Sequence, residues 1–155
     1  MGRFRLLTVG RPRDQRMQQL VADYLKRLSV EQAVEWESVP EHPFRGGDEA
    51  RAIADEERQL LRRIRDRDVV ILLDVAGELV DSPRLAEKVR AWRDAPSPVV
   101  FVVGGSLGVG DVIRRRAAWH WSLSPLTLPH GLCQVVVAEQ IYRAWTILKG
   151  HPYHK

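Results

Sequence analysis

The chain has 155 residues, 45% of them hydrophobic and 28% charged, and this is the composition of an ordinary globular protein. A lone cysteine, Cys133, excludes an intramolecular disulfide, and 24 basic against 20 acidic residues give a net charge of +4, a modest excess that favours a polyanionic partner. Apolar runs are too short to span a membrane and residues 1–10 lack a signal-peptide core, so we expect one soluble cytoplasmic domain over residues 1–155.

The first part of the sequence alternates apolar runs with amphipathic stretches. Phe4–Val9 predicts a strand, and residues 16–28 carry apolar side chains at helical spacing. Residues 33–39 alternate as a half-exposed strand does. Residues 40–48 hold two prolines and two glycines and predict a loop, and a charged helix is predicted from Glu49 to about residue 65.

The same alternation continues in the second part. Ser82 followed by Pro83 is typical of a helix start, because serine caps the first turn and proline is tolerated at the first helical position. The predicted elements are a buried strand over 69–75, a helix from Ser82 to about residue 93, a strand over 98–103, a helix over 109–119, a strand or extended segment over 121–128, and a helix over 132–148 capped by Gly150.

This order of elements predicts a three-layer α/β sandwich with a mainly parallel sheet. In such sheets ligands bind beyond the carboxyl ends of the strands. Three loops with suggestive residues lie at such ends, namely residues 73–77, 103–110 and 123–132.

The glycine loop over residues 103–110 is not a phosphate loop. It has no Lys-Ser or Lys-Thr after it, and it lacks the spacing of a dinucleotide fingerprint. A double glycine after a strand is by itself most often a tight turn. The neighbouring segment "SPLTLP" has no charged side chain and many free main-chain groups, so the two segments together predict a neutral pocket for a cofactor whose adenine edge is read by the main chain.

Three motifs carry a family resemblance, "SLSPLTLPH", "AEQIYRAW" and the terminal "HPYH", supported by "LLDVAGE" and "FRLLTVG". With them the whole chain resembles the bacterial ribosomal large subunit pseudouridine N3 methyltransferases of the SPOUT superfamily. The resemblance implies a C-terminal trefoil knot, a homodimer, and transfer of a methyl group to N3 of a pseudouridine in 23S ribosomal RNA within the ribosome, with no role for DNA or a membrane. It also implies that S-adenosylmethionine is the cofactor, held by Leu73, Gly104, Leu123, Ser124, Pro125, Leu126, Thr127 and Leu128.

The sequence departs from the family in its glycine loop. Relatives have Gly-Gly-Pro-Glu-Gly where this chain has Ser106 and Leu107, so a carboxylate near the methyl donor is lost. This departure motivates an alternative function, a ribosome-binding or RNA-binding protein that keeps the fold and has impaired catalysis. A nucleotide-binding flavodoxin-like module is a third reading of the strand and helix order, and the missing phosphate-loop signatures argue against it.

The reaction that the resemblance implies requires removal of a proton, because the N3 imide nitrogen is protonated at neutral pH. His154 is the first candidate for the base, and Tyr153 for stacking on or hydrogen bonding to the target nucleotide. Arg143 is a candidate for stabilising the anionic base or binding a phosphate, and the alternative for it is an i, i+4 ion pair with Glu139. No metal ligands are assigned.

The other histidines and the arginine runs have plainer interpretations. His151 is expected to make a C-terminal cap contact, His130 is interpreted as a loop histidine bonded to the backbone, and His42 and His120 receive no role. Residues 114–116 are candidates for RNA phosphate contacts, whereas the arginines of residues 62–67 are interpreted as a solvated helix face. The last helix is apolar on more than one side, which fits either a central core helix or a homodimer in which the neighbouring subunit completes each site.

Overall fold

The computed structural model describes residues 3–44 and 46–155, in which five strands alternate with five helices. The strands are β1 (Phe4–Val9), β2 (Val34–Val39), β3 (Val69–Leu79), β4 (Val99–Val103) and β5 (Trp119–Ser122). The helices are α1 (Gln15–Leu28), α2 (Glu49–Arg63), α3 (Ser82–Asp94), α4 (Asp111–Arg116) and α5 (His130–Leu148). Within the described residues, no helix is long and apolar enough to cross a membrane, and no group of acidic, histidine or cysteine side chains is arranged to hold a metal ion.

The strands form one parallel sheet in the order β2-β1-β4-β3-β5. In the centre, Leu6 of β1 pairs with Trp36 of β2 on one side and with Phe101 of β4 on the other. All six residues of β1 and all five of β4 are buried, as expected for central strands covered on both faces. The predicted parallel α/β sheet is therefore confirmed.

The alternation of side chains along β4 separates two apolar cores. Val99, Phe101 and Val103 face one core, and Val100 and Val102 face the other. The first core receives Val21 of α1, Leu85 of α3 and Ile141 of α5, and the second receives Leu60 of α2 and Ile113 of α4. Helices therefore cover both faces of the sheet, which gives the three predicted layers.

Helix α5 lies in the middle of the first helical layer, where it packs against α1 and α3. Val137 and Ile141 are fully buried, and Trp145 packs edge-on against Phe4 with ring centroids 5.9 Å apart. Burial of a large apolar side chain contributes ~1.5–3 kcal/mol, so this helix is a main source of core stability. Its role as a core helix thus accounts for its apolar character within a single chain.

Strand β3 is longer than the sequence prediction, which ended at residue 75. It continues to Leu79, and its register against β5 is irregular between Leu73 and Glu78. The main-chain N–H of Ala76 donates to Asp74 Oδ1 over 3.0 Å in this irregularity. The prediction stopped early because the residues after 75 are mostly exposed and the apolar run breaks there.

The N-cap of α3 and the bounds of α4 differ from the prediction. The N-cap of α3 is Asp81, whose Oδ1 accepts from the N–H of Arg84 over 2.9 Å, whereas Ser82 is the first helical residue and donates its hydroxyl to Gln140. Helix α4 covers only Asp111–Arg116, because Trp119 already belongs to β5. An aspartate directly before Ser-Pro offered the same capping chemistry, so sequence alone did not separate the two caps.

The end of α5 agrees with the prediction, although its start does not. It begins at His130, two residues before the predicted position, and Gly150 follows it with a positive φ of 68°. The N–H of His151 donates to the carbonyl of Thr146 over 2.8 Å, which confirms the expected cap contact.

Candidate functional site

A cavity of about 290 Å³ opens at the carboxyl ends of β3 and β4. Its walls are the end of β3, the glycine loop after β4, the irregular segment after β5 and the first turn of α5, which contributes His130 and Cys133. The position is the one at which open parallel sheets bind ligands, and the volume lies near the lower end of small-molecule pockets.

Most residues predicted to hold a cofactor line this cavity. They are Leu73, Gly104, Leu123, Ser124, Leu126, Thr127 and Leu128. Pro125 is the exception, since it is exposed and contributes no surface to the cavity although both its neighbours do.

The glycine loop needs its small residues for steric reasons. A Cβ added at Gly104 would lie 2.6 Å from Val109 Cγ1, so even alanine would force the loop to shift. Gly108 has a φ of 87°, a conformation that side chains disfavour, and its N–H donates to the carbonyl of Gly105 over 3.0 Å. The loop is therefore a tight turn that brings main chain to the cavity wall, with Ser106 and Leu107 at its tip.

The opposite wall is held by serine hydroxyl groups. Ser122 Oγ donates to the carbonyl of Val75 over 3.0 Å, which ties the segment after β5 to the end of β3. Ser124 Oγ accepts from the N–H of Leu126 over 3.0 Å and fixes the next turn. These contacts hold an irregular segment in one shape.

Two charged side chains line the otherwise neutral cavity, Asp74 and Arg114. Asp74 Oδ2 accepts from Arg114 Nη1 over 2.7 Å and from His120 Nδ1 over 3.0 Å. Burial by itself would raise the pKa of Asp74, but the hydrogen bonds from His120 and Ala76 and the charge of Arg114 outweigh it and lower the pKa. His120 Nε2 lies 2.9 Å from the carbonyl oxygen of Arg114.

The sequence predicted no role for His120, and it predicted contacts with RNA phosphates for Arg114. Arg114 instead lines the cavity, and Arg116 donates to main-chain carbonyls of the α2–β3 connection, including those of Arg65 and Asp68. Arg115 is exposed. His130, which belongs to the predicted ligand loop over residues 123–132, lines the cavity, and its Nε2 lies 3.9 Å from Glu41 Oε2.

The three residues predicted to be catalytic lie together on the outer side of α5. Arg143 Nη1 is 3.0 Å from His154 Nδ1, and the Arg143 guanidinium lies 4.8 Å from the centre of the Tyr153 ring. Glu139 Oε2 accepts from both Tyr153 Oη, over 2.6 Å, and Arg143 Nη2, over 2.9 Å. The i, i+4 pair is therefore present, together with the contact to the tail. We call these four residues the tail cluster.

The hydrogen bonds of the tail cluster fix the protonation of its members. Burial and donation to Glu139 raise the pKa of Tyr153 well above its ordinary value, so Tyr153 is a neutral donor. A guanidinium donates and never accepts, so His154 Nδ1 accepts from Arg143, and the ring proton of the neutral imidazole is on Nε2. In this arrangement His154 is a donor, and it gains a free lone pair only when Nδ1 leaves Arg143.

The cavity and the tail cluster are separate in a single chain. None of Arg143, Tyr153 and His154 lines the cavity, and Tyr153 instead packs on Tyr142 with ring centroids 4.8 Å apart. Arg143 follows Cys133, at the cavity wall, by ten positions in α5, which corresponds to ~15 Å along a helix axis. Direct contact between the two sites thus requires either a moving tail or a second chain.

A parallel sheet with a small-molecule cavity at its carboxyl edge defines the class of α/β proteins that bind a cofactor at the strand ends. A family model described as "Predicted SPOUT methyltransferase" matches residues 2–154, and the chain belongs to this family. It is 40% identical to "Ribosomal RNA large subunit methyltransferase H" of Pseudomonas aeruginosa strain UCBPP-PA14 and 41% identical to the protein of that name from Chromohalobacter salexigens, each over 99% of both chains. Among solved structures, a probable methylase family protein from Haemophilus influenzae Rd KW20 has the same fold, with a TM-score of 0.56, 13% identity, and coverage of 99% of this chain and 70% of that one.

Proposed function

We propose that this protein transfers a methyl group from S-adenosylmethionine to N3 of a pseudouridine in 23S ribosomal RNA on the assembled ribosome, in the cytoplasm. The relatives named for methylation of large subunit ribosomal RNA support the substrate class. The observation that carries the proposal is the cavity, because its walls are the segments to which the family resemblance assigns the methyl donor. The same resemblance supports the C-terminal trefoil knot.

The residues of the cavity fit S-adenosylmethionine. Gly104 brings main chain to the cavity wall, and residues 123–128 present main-chain groups beside apolar side chains, which suits an adenine ring. Leu73, Gly104 and residues 123–128 would hold the cofactor, as the family resemblance assigns. When bound, the cofactor supplies a methyl group made electrophilic by a positively charged sulfur.

The tail cluster would prepare the nucleophile. His154 takes the N3 proton once Nδ1 has left Arg143, and the freed Arg143 guanidinium then faces the negative charge on the imide oxygens. Tyr153, held neutral by Glu139, offers its ring for stacking on the target base. Because a neutral imide is a poor nucleophile, we expect these groups to affect turnover more than binding of the methyl donor.

The active form is proposed to be a homodimer in which the tail of one subunit completes the cavity of the other. The separation of ~15 Å between cavity and tail cluster along α5 supports this arrangement. Mixing a chain carrying Gly104→Val with one carrying His154→Ala tests it, because random pairing gives a dimer with one intact composite site in half of all pairs. Recovery of about a quarter of wild-type activity, calculated from that pairing of independent sites, is expected, and no recovery would contradict the shared site.

The function is tested by measuring binding and methyl transfer separately. Calorimetry of the wild-type protein is expected to show binding of S-adenosylmethionine and its demethylated product at one site per chain. Tritium from the labelled donor is expected to appear in 23S RNA of whole ribosomes, and reverse transcription to stop at the modified base, because N3 lies on its pairing edge. A protein that binds neither form of the cofactor would overturn the proposal, and methylation of free 23S RNA alone would overturn its ribosome part.

The alternative, an RNA-binding protein with impaired catalysis, rests on Leu107 in place of the family's acidic residue. The structure supplies a carboxyl group at the loop from another element. A Cβ added at Gly105 would lie 2.7 Å from Glu56 Oε1, so the buried Glu56 of α2 lies directly against the loop. Methylated pseudouridine in ribosomes treated with the purified protein would dismiss the alternative, and cofactor binding without any transfer would favour it.

His154→Ala distinguishes the assignment of the base from the rest of the mechanism. We expect unchanged affinity for S-adenosylmethionine, because His154 does not line the cavity, and turnover lowered ~10²- to 10⁴-fold, the usual contribution of a positioned base. Normal turnover would show that another group takes the proton.

A further inference from the structure

One acidic and one basic side chain lie side by side in the cavity wall, which is otherwise neutral. Asp74 Oδ2 and Arg114 Nη1 are 2.7 Å apart, and the two side chains are 8% and 41% exposed. They come from different elements, the end of β3 and the helix α4. An adjacent carboxylate and guanidinium have the charge pattern that complements a zwitterion, such as the ammonium and carboxylate groups of an α-amino acid.

We propose that the Asp74–Arg114 pair is the binding site for the amino-acid end of the methyl donor, with Arg114 on its carboxylate and Asp74 on its ammonium group. The inference rests on the proposed function, since it assigns a place to one part of the cofactor. It assigns no step of the methyl transfer to either residue.

The hydrogen-bonding capacity of the two side chains leaves room for this ligand. A guanidinium has five N–H donors in a planar fork, and the contact with Asp74 is made by Nη1, so the remaining donors can face a carboxylate. Asp74 Oδ2 already accepts twice, from Arg114 and His120, whereas Oδ1 accepts only from the N–H of Ala76. Oδ1 therefore has one acceptor position free for an ammonium group.

His120 acts as a positioning residue for this pair. Its two ring nitrogens lie 3.0 Å from Asp74 Oδ2 and 2.9 Å from the main-chain oxygen of Arg114, so one imidazole joins β3 to the last turn of α4. Gly77 permits the close approach, because a Cβ there would lie 2.6 Å from the main-chain carbonyl of His120. His120 thus fixes the Asp74 carboxylate relative to the backbone of Arg114 before any ligand arrives, which lowers the entropy cost of binding.

Ligands that differ only at the amino-acid end give the sharpest test, because they need no variant. Calorimetry is carried out with S-adenosylmethionine, with decarboxylated S-adenosylmethionine, with S-adenosylhomocysteine, and with methylthioadenosine, which lacks the amino acid. Removing the carboxylate alone is expected to weaken binding ~10- to 100-fold, the range for a charge-assisted contact to a guanidinium. Equal affinity for S-adenosylmethionine and its decarboxylated form would overturn the proposal.

Variants then assign the effect to the residues. Arg114→Gln is expected to lower affinity for S-adenosylhomocysteine ~10- to 100-fold while affinity for methylthioadenosine changes less than about twofold. Arg115→Gln is the matched control, since Arg115 is the next residue of the same helix, is exposed and does not line the cavity. A loss for both ligands in Arg114→Gln would show that the residue only shapes the cavity, and would overturn the proposal.

His120→Gln tests the positioning role. We expect this variant to lower the affinity for S-adenosylhomocysteine by less than Arg114→Gln does, and to leave the affinity for methylthioadenosine unchanged. An equal loss of affinity for both ligands would contradict the positioning role. Failure of the wild-type protein to bind any of these adenosine compounds is a different result, because it would contradict the proposed function itself. Binding that is independent of the amino-acid end would contradict only the assignment of Asp74 and Arg114.

Discussion

Replacement of Glu139 by glutamine is expected to release the C-terminal tail. Glu139 Oε2 holds both Tyr153 Oη and Arg143 Nη2, and the exposed fractions of the two ionic side chains are 17% for Glu139 and 25% for Arg143. A glutamine can keep these two bonds only through one uncharged carbonyl oxygen, and its amide N–H groups then face Gln140 Nε2, which donates to Glu139 Oε1 over 2.7 Å. Hydrogen bonds to a charged acceptor contribute ~1.5–3 kcal/mol, and solvent screening at these exposures lowers the expected loss to ~1–2 kcal/mol.

That loss is measured by digestion of the terminal residues with a carboxypeptidase, followed by mass spectrometry. When opening is fast relative to cleavage, the rate follows the population of released tail, so ~1–2 kcal/mol corresponds to ~5- to 30-fold faster removal of residues 153–155. Turnover is expected to fall in parallel while affinity for the methyl donor is unchanged. Glu87→Gln is the control, because it breaks an exposed pair with Arg84 on α3 that does not touch the tail. Digestion of Glu139→Gln at the rate of this control would refute the role of Glu139.

Three further predictions concern stability and reactivity. Burial raises the pKa of Cys133 from 9.0 to about 11, so its alkylation at pH 8 is expected to be ~100-fold slower than that of an exposed thiol, and ordinary labelling kinetics would contradict its burial. Gly77→Ala places a Cβ 2.6 Å from backbone atoms of His120, and we expect it to lower the free energy of unfolding in urea by ~1–3 kcal/mol. Gly46→Ala is the control, because a Cβ there has nothing within 4 Å and should lower this free energy much less. Equal losses in the two variants would contradict the steric argument. Burial raises the pKa of Glu56 although its carboxylate accepts a hydrogen bond from the N–H of His42. The stability that the protonated carboxyl contributes is therefore lost as pH rises above 4.5, and the wild type should lose stability relative to Glu56→Gln between pH 4.5 and 7. A stability difference that stays constant with pH would show that Glu56 titrates normally.

The layers of the fold could be predicted because they depend on local patterns. The run of β4 is apolar at every position, which only a strand covered on both faces requires, and the structure divides it into Phe101 on one side and Val102 on the other. The cavity could be placed for a related reason, since the carboxyl edge of a parallel sheet gathers the loops after β3, β4 and β5. Neither argument needs a contact between distant residues.

The charged part of the cavity could not be predicted, because it depends on such a contact. His120 and Asp74 are 46 residues apart, and their meeting follows from the register of β5 on β3 and from the irregularity at Gly77. No spacing in the sequence encodes that register. Pro125 illustrates the same limit at a single residue. The sequence placed the segment 123–128 at the carboxyl edge of the sheet, but which of its side chains face the cavity depends on turns fixed by Ser122 and Ser124.

The separation of the neutral cavity from the charged tail cluster has a consequence for how the chain distributes its chemistry. A cavity that binds a positively charged sulfur benefits from fixed main-chain dipoles and from one balanced acid and base pair, because an unpaired arginine there would repel the ligand. The proton removal proposed for the tail cluster requires the opposite, a concentration of cationic and donor groups such as Arg143 and His154. In the proposed mechanism, the separation of the two sets along α5 keeps each electrostatic environment intact until the RNA arrives. Substitutions at Gly104 should therefore weaken binding of the methyl donor with little direct effect on the tail cluster, and substitutions at Glu139 should lower turnover with little effect on that binding.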